Sequence, residues 1–197
     1  DGADALTFDH EHVPTAHLER LAQLCAVRPG AEALVFAQDK AAMRARMTEL
    51  GVPCPAFEVC GDAAALRAFG DRQGWPIIAK TSRGGYDGKG VWKLDDATQA
   101  GEPFEGLAET SAGEKVLIVA EEFIDFSREL SAIVVRSPSG QVVAYPISET
   151  RQADGICVET ITPAPGLDDD EASRLQEMAI RIATELGVVG VLAVELM

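Results

Sequence analysis

The segment from Ile77 to Trp92 reads I-I-A-K-T-S-R-G-G-Y-D-G-K-G-V-W. A short apolar run ends at Lys80, a loop with four glycines between residues 84 and 90 follows, and a second apolar run begins at Val91. This order predicts two strands joined by a glycine-rich loop. Because glycine adopts positive φ and lets backbone N–H groups approach an anion, and because Lys80 and Lys89 add positive charge, the loop is a candidate lid over phosphates.

Two common phosphate-binding motifs do not fit this loop. The spacing G-x-x-x-x-G-K-[ST] is absent, and no helix start follows the glycines. Gly85, Gly88 and Gly90 do not give the dinucleotide motif G-x-G-x-x-G either. For the loop taken alone, an ordinary glycine-rich hairpin remains the alternative, since glycine marks turns in many folds.

The composition excludes several classes of protein. The chain has 197 residues, of which 47% are hydrophobic, and a formal net charge of −15. The length suffices for a sizeable core, and the acidic balance argues against a nucleic-acid-binding or anionic-membrane surface. No apolar run reaches the roughly 18 residues of a transmembrane helix, and the acidic start does not resemble a signal peptide. We therefore predict a cytoplasmic protein with no nucleic-acid or membrane partner.

Neither the cysteines nor the histidines predict a strong metal site. The four cysteines have no C-x-x-C spacing, which favours reduced thiols over a disulfide framework or a zinc site. His10 and His12 flank Glu11, but on a strand Glu11 would point away from the two histidines, and no fourth ligand is evident.

The hydrophobic periodicity predicts an α+β fold, with helices packed on a largely antiparallel sheet. Thr15, Asp39 and Asp62 are candidate N-caps of three helices, and a fourth helix is expected from Asp168 to Leu186. Residues 116–119, 129–135 and 141–147 read as strands, the last two joined by a turn at 137–140.

The two ends of the chain read as internal to a longer protein. The run from Val188 to Met197 is predicted to be a buried strand, and it stops without a turn or a polar tail. At the other end, a short strand from Ala5 to Phe8 has no obvious pairing partner in the sequence.

Several motifs together resemble one family of ligases. They are F-D-H-E-H-V-P at 8–14, G-G-Y-D-G-K-G at 84–90, E-E-F-I at 121–124, Y-P-I-S-E-T at 145–150, Q-A-D-G-I-C at 152–157 and G-V-L-A-V-E-L at 190–196. Their order is similar to that of the ATP-grasp fold, in which two α+β lobes clasp ATP, and specifically to the N5-carboxyaminoimidazole ribonucleotide synthetases of purine biosynthesis. The resemblance implies three parts: residues 1–36 end a preceding α/β domain, 37–125 form the small lobe with its glycine-rich lid, and 126–197 begin the C-terminal lobe.

The resemblance also implies roles for individual residues. Lys40 and Lys80 match the cations aimed at the nucleotide phosphates, and Lys80, Asp87 and Lys89 match catalytic positions. Asp87 and Lys89 are also implied nucleotide contacts. The other implied contacts are Gly85, Tyr86, Gly88, Gly90, Glu121, Glu122, Phe123, Ile124, Glu129 and Gln152. In this set, residues 121–124 match the hinge whose backbone reads the adenine edge, and Glu129 matches the acceptor of ribose hydroxyls.

Substrate and metal roles follow from the same resemblance. Glu11, Tyr86 and Asp87 match residues that contact the ribonucleotide. Glu195 ends an apolar strand and matches a ligand of Mg²⁺; a buried carboxylate needs a partner, and Mg²⁺ prefers carboxylate and phosphate oxygens. The implied cofactors are ATP and Mg²⁺, the implied substrates are bicarbonate and 5-aminoimidazole ribonucleotide, and the implied assembly is a homodimer.

Two departures from the family pattern keep alternatives open. Gln152 stands where some family members have histidine, and the second metal carboxylate expected soon after Glu195 is absent from this sequence. The expected function is ATP- and bicarbonate-dependent carboxylation of 5-aminoimidazole ribonucleotide. The alternatives are another ATP-grasp ligase, such as a formate-dependent glycinamide ribonucleotide transformylase or a biotin carboxylase, and a nucleotide-binding segment without catalysis.

Overall fold

The computed structural model describes residues 2–85, 89–105, 107 and 116–197. They divide into two compact units. One unit spans Phe36–Asp125, and the other combines Asp1–Val35 with Phe126–Met197. The helices are α1 Thr15–Ala22, α2 Ala31–Gln38, α3 Lys40–Glu49, α4 Ala63–Gln73, a 3₁₀ helix at Ala97–Phe104 and α5 Asp169–Glu185. The strands are β1 Ala5–Leu6, β2 Ala26–Val27, β3 Phe57–Cys60, β4 Ile77–Thr81, β5 Val91–Leu94, β6 Ile118–Glu122, β7 Glu129–Arg136, β8 Val142–Ala144, β9 Ser148–Ala153, β10 Ile156–Ile161 and β11 Gly190–Leu196.

The Phe36–Asp125 unit is built on a four-stranded antiparallel sheet with the order β3-β6-β4-β5. Alternate residues of its strands form a core with α4 and the 3₁₀ helix. Its fully buried members include Leu66, Ile77, Ala79, Ile118 and Ala120. Because side chains alternate across a strand, the residues between these core positions lie on the opposite face. They are Ile78 and Lys80 on β4 and Val119 and Glu121 on β6.

The helix starts of this unit follow the sequence prediction. The Asp39 carboxylate accepts hydrogen bonds from the backbone N–H groups of Ala41 and Ala42, and the Asp62 carboxylate accepts one from Ala65. A side-chain acceptor at this position satisfies donors that have no partner within the helix. The N-caps predicted at Asp39 and Asp62 are confirmed.

The second unit contains a five-stranded antiparallel sheet with the order β10-β9-β7-β11, in which β8 also pairs with β7. Helix α5 packs on one face through Ala179, Ile182 and Ala183, which are buried. The Asp168 carboxylate caps this helix, and Gly187 follows its end with a φ of 64°. The helix predicted here from the sequence is confirmed.

Residues 1–35 add a small parallel β1–β2 pair and a cluster in which Leu18, Val27 and Leu34 are buried. The short strand near the N-terminus thus has a partner, β2, that the sequence prediction missed. Thr15 was predicted to cap α1; it is instead the first helical residue, and Pro14 occupies the N-cap position without a side-chain hydrogen bond. Helix α2 was also missed.

The structure corrects two predictions about strands of the second unit. β11 was predicted to be buried, but its residues alternate between exposed and half-buried positions. The β9–β10 hairpin was not predicted, and β10 is exposed along almost its whole length, so apolar periodicity gives no signal for it. Its two-residue turn is Asp154-Gly155, with φ values of 51° and 78°. An Asp-Gly pair is a strong hairpin signal that could have revealed it.

Among the helices in the described part of the chain, none combines the length and the apolar character that crossing a bilayer requires.

Candidate functional site

The candidate site in the Phe36–Asp125 unit begins with two charged side chains on neighbouring strands. Lys80 on β4 pairs with Val119 on β6, and Glu121 on β6 pairs with Ile78 on β4. The two charged residues are therefore diagonal neighbours on the face opposite the core. The Lys80 ammonium donates a hydrogen bond of 2.7 Å to Oε2 of Glu121.

The other carboxylate oxygen of Glu121 is bound by helix α3. Nε of Arg44 donates a hydrogen bond of 2.6 Å to Oε1 of Glu121. The Glu121 side chain is 4% exposed, whereas those of Arg44 and Lys80 are 12% and 22% exposed. We call these three residues, Arg44, Glu121 and Lys80, the Glu121 cluster. It consists of a buried anion held between two cations, of which Lys80 is the more accessible to solvent.

The charge state of Glu121 follows from these contacts. Burial works to raise the pKa of its carboxyl, but the hydrogen bond and charge of Arg44 and the charge of Lys80 outweigh burial and hold that pKa below its ordinary value. Burial likewise disfavours the Arg44 guanidinium, yet Glu121 raises the pKa of Arg44. These directions favour the ionised forms of both Glu121 and Arg44 at neutral pH.

We expect the stabilising effect of Glu121 to disappear in acid. A carboxyl whose pKa is lowered by folding stabilises the folded state above its unfolded pKa, ordinarily 4.5, and loses this effect as the pH falls through the folded-state pKa. Glu121→Gln should therefore be less stable than the wild type at pH 7, and the difference in free energy of unfolding should be smaller at a pH below 4.5. Urea unfolding of the full-length protein at both pH values measures this, and a constant difference would contradict it.

A second set of contacts joins the start of α3 to the beginning of the glycine-rich loop. Besides capping the helix, the Asp39 carboxylate accepts a hydrogen bond of 2.8 Å from Nε of Arg83. The backbone N–H of Lys40 donates to the carbonyl of Ser82 at 2.8 Å, and the Lys40 ammonium donates to the carbonyl of Gly84 at 3.2 Å. Lys40 therefore contacts the loop whose lid function the sequence predicts.

Two glycines of the loop are required by its geometry. Gly85 and Gly90 have φ values of 77° and 73°, a region that favours glycine. A Cβ on Gly85 would lie 2.7 Å from the Lys89 carbonyl oxygen, and one on Gly90 would lie 2.7 Å from Oγ1 of Thr81. Both glycines therefore lie close to Thr81, the last residue of β4. The predicted site residues Tyr86, Asp87 and Gly88 lie outside the described residues, so their roles stay predictions.

The predicted hinge, residues 121–124, lies partly in a strand: Glu121 and Glu122 end β6, and the other two residues follow it. Glu121 was predicted to contribute backbone groups to the adenine, and the contacts of its carboxylate in the Glu121 cluster do not test that role. The Glu122 N–H donates to the carbonyl of Ala56 at 2.9 Å, so that donor is already used. Phe123 and Ile124 follow the end of β6, and the Lys93 ammonium lies 4.7 Å from the centroid of the Phe123 ring. The predicted adenine contacts of residues 121–124 stay predictions.

The second unit brings three other predicted residues to one face of its sheet. Glu129 pairs with Thr150, and Gln152 lies two residues further along the same strand as Thr150. Glu195 pairs with Ser131, which lies two residues after Glu129. Because side chains two residues apart share a face, Glu129, Gln152 and Glu195 project from the same side.

Glu195 was predicted to be a buried charge, but the residue is exposed on β11. Its carboxylate oxygens suit Mg²⁺ chemically, but a single carboxylate would have to share the ion with phosphate oxygens and water. Within residues 2–85, 89–105, 107 and 116–197, no group of three or more His, Cys, Asp or Glu side chains is arranged to hold a metal. The predicted metal role of Glu195 stays a prediction.

Glu11 lies in the loop between β1 and α1 rather than on a strand. Its Oε1 is 3.6 Å from Nε2 of His12, and its carbonyl accepts a hydrogen bond from Val13. Its predicted contact with a ribonucleotide is not tested by these contacts.

The sequence interpretation missed Arg44, which shares the carboxylate of Glu121 with Lys80, and Arg83, which binds the carboxylate of Asp39. One local signal could have indicated Arg44: it lies four residues after Lys40, so both project from the same side of α3. No comparable local signal exists for its partner Glu121, which is 77 residues away in the sequence.

Comparison with known proteins identifies the fold. Residues 45–197 match the model of the ATP-grasp domain. The N5-carboxyaminoimidazole ribonucleotide synthase of Mycobacterium tuberculosis is 48% identical over 196 residues, which cover 99% of this chain and 45% of that protein. The synthase of Corynebacterium ammoniagenes is 44% identical over 197 residues, covering 100% of this chain and 47% of that protein. The chain thus spans about half the length of these curated relatives.

Solved structures give the same result. The N5-carboxyaminoimidazole ribonucleotide synthetase of Thermus thermophilus superimposes with a TM-score of 0.83 at 31% identity, covering 98% of this chain and 51% of that one. The synthase of Aspergillus clavatus, in complex with ADP and 5-aminoimidazole ribonucleotide, gives a TM-score of 0.84 at 27% identity, covering 98% and 49%. The predicted α+β ATP-grasp fold and the predicted resemblance are confirmed.

Proposed function

Because the chain belongs to the ATP-grasp family, we propose that it supplies nucleotide-binding elements to an ATP-dependent ligase that carboxylates 5-aminoimidazole ribonucleotide. In the proposed reaction, ATP phosphorylates bicarbonate to carboxyphosphate and leaves ADP. The exocyclic amine of the ribonucleotide then takes the carboxyl group, which forms N5-carboxyaminoimidazole ribonucleotide and releases phosphate.

The observation that carries this proposal is the Glu121 cluster at the end of β4, directly before the glycine-rich loop. Lys80 is held in place by the hydrogen bond from its ammonium to Glu121, and an ammonium has two further N–H donors that can bind an anionic ligand. Charged donors fixed before the ligand arrives stabilise the negative charge of a transferring phosphoryl group without reorganisation. Similarity to synthases over 99% of the chain supports the choice of substrates.

The site residues predicted from the sequence have individual roles in the proposed reaction. Lys40, Lys80 and Lys89 would contact the phosphates of ATP, and Phe123 and Ile124 would contact the adenine. Glu129 and Gln152 would contact the nucleotide from their shared sheet face, and Glu195 would hold Mg²⁺, which supplies further positive charge at the phosphates. Glu11, Tyr86 and Asp87 would contact the ribonucleotide. A cytoplasmic homodimer completes the proposal.

Substrate-dependent ADP formation by the full-length protein tests the proposal. We expect rapid ADP release only when bicarbonate and 5-aminoimidazole ribonucleotide are both present with MgATP. The matched controls replace them with formate and glycinamide ribonucleotide, or with biotin and bicarbonate. Release with either control pair and none with the proposed substrates would favour another ATP-grasp ligase. ATP binding with no release in any mixture would favour a non-catalytic nucleotide-binding protein.

A further inference from the structure

We propose that Arg44 is a positioning residue that acts on Lys80 through Glu121: it balances the charge of Glu121 so that Lys80 keeps a net positive charge for the phosphates of ATP. The inference rests on the proposed function, because it concerns the same ATP phosphates. It assigns Arg44 a role in ligand binding beyond tying α3 to the sheet.

The charges of the Glu121 cluster carry the argument. Glu121 contributes −1, and Arg44 and Lys80 contribute +1 each, so the net charge of the cluster is +1. Without Arg44 the sum would be zero. Because the Glu121 carboxylate lies 2.7 Å from the Lys80 ammonium, the negative charge would then cancel most of the field of the ammonium at the distance of a ligand. An anion approaching Lys80 would then be attracted by a dipole rather than by a charge.

The geometry separates the tasks of the two cations. Each binds a different oxygen of the same carboxylate, so neither competes with the other for Glu121. Arg44 is the more buried of the two, and its guanidinium also contacts the sulfur atoms of Met43 and Cys54, at 4.0 and 3.7 Å. Lys80, the more exposed cation, is the one that can meet a ligand. Arg44 therefore acts through Glu121.

A purely structural role is the competing explanation. In that case, removing the Arg44 charge would weaken all ligands of the site alike, and removing the Glu121 charge as well would not help. The charge-balancing role predicts the opposite on both points. The effect should be confined to ligands with phosphates, and it should be reversed when Glu121 is neutralised.

The experiment compares the wild-type full-length protein with Arg44→Met, Arg44→Lys and the double variant Arg44→Met/Glu121→Gln. The dissociation constants of ATP and of adenosine are measured for each by calorimetry, together with thermal unfolding. Adenosine has the same base and ribose as ATP but no phosphate, so it reports on the shape of the site alone.

We expect Arg44→Met to weaken ATP binding about tenfold, the effect of one partly screened charge at this range, and to leave adenosine binding within about twofold. Arg44→Lys should restore ATP binding because it restores the charge. The double variant should also recover most of the loss, since Lys80 beside a neutral glutamine side chain again gives a net charge of +1, and the amide oxygen can still accept from Lys80.

Three results would overturn the inference. They are equal weakening of ATP and adenosine in Arg44→Met, unchanged ATP binding in that variant, and a double variant that binds ATP no better than Arg44→Met. Should Arg44→Met not fold, the dissociation constants of ATP and adenosine for the double variant and for Arg44→Lys are compared with those of the wild type. ATP binding far weaker than that of the wild type in both variants would then contradict the inference. A wild-type protein that does not bind ATP would instead contradict the proposed function, so the two failures are distinguishable.

Discussion

Glu121→Ala is expected to lower the free energy of unfolding by about 3–5 kcal/mol, the usual cost of removing one partner from a buried ion pair. The variant leaves the Arg44 and Lys80 side chains, 12% and 22% exposed, next to each other without the carboxylate that both bind. Two like charges with little access to water are then uncompensated. Urea unfolding of the full-length protein at neutral pH and fixed ionic strength measures the change.

The matched control for this prediction is Glu58→Ala on the same sheet. Glu58 also forms an ion pair with an arginine, Arg72, but the two side chains are 42% and 59% exposed. An exposed pair contributes about 0–1 kcal/mol, because water screens the charges and both side chains lose conformational freedom. Equal losses in the two variants would show that burial of Glu121 adds nothing to stability.

Lys80→Met is expected to reduce ATP-dependent ADP formation by roughly 10²–10³-fold, the effect of removing one fixed donor at a site of developing negative charge. The fold should persist, since Glu121 keeps its hydrogen bond from Arg44. The methionine retains most of the apolar stem of lysine and removes only the ammonium. Steady-state assays with the substrates proposed above measure the rate, and thermal unfolding checks the fold.

Arg67→Met provides the control for Lys80→Met. Arg67 is an exposed cation on α4, and that helix packs on the other face of the same sheet. The substitution removes the same formal charge from the unit without changing the Glu121 cluster, so the rate should stay within about twofold of the wild type, as for most exposed substitutions. A similar loss of rate in both variants would mean that net charge, and not the position of Lys80, controls the activity.

Much of the local structure could be predicted from the sequence, because it depends on neighbours in the chain. Asp39, Asp62 and Asp168 cap helices through backbone groups two or three residues away, which is why their side-chain type alone indicated the helix starts. The two apolar runs around the glycine-rich loop likewise form the antiparallel β4–β5 pair. The order of several motifs was specific enough to indicate the ATP-grasp fold, which the comparisons confirm.

Solvent exposure set a limit to prediction from the sequence. The β9–β10 hairpin lacks apolar alternation because β10 is exposed along almost its whole length, and β11 was predicted buried although one of its faces is open. Alternating apolar residues indicate a strand only where one of its faces is covered by other parts of the protein. A strand that is exposed on both faces is therefore missed, and the burial of an apolar strand with one open face is overestimated. The exposure of Glu195 is part of the same error.

From the sequence alone it followed that an apolar strand leads through Lys80 into a glycine-rich loop and that an acidic pair, Glu121 and Glu122, comes shortly after another apolar run. The burial of Glu121 between Lys80 and Arg44, which are 41 and 77 residues away, depends on how the chain folds as a whole. The alternation of a strand fixes which residues share a face, but not which strands are neighbours. That choice follows from the sheet order β3-β6-β4-β5 and from the packing of α3, both of which depend on contacts between distant parts of the chain.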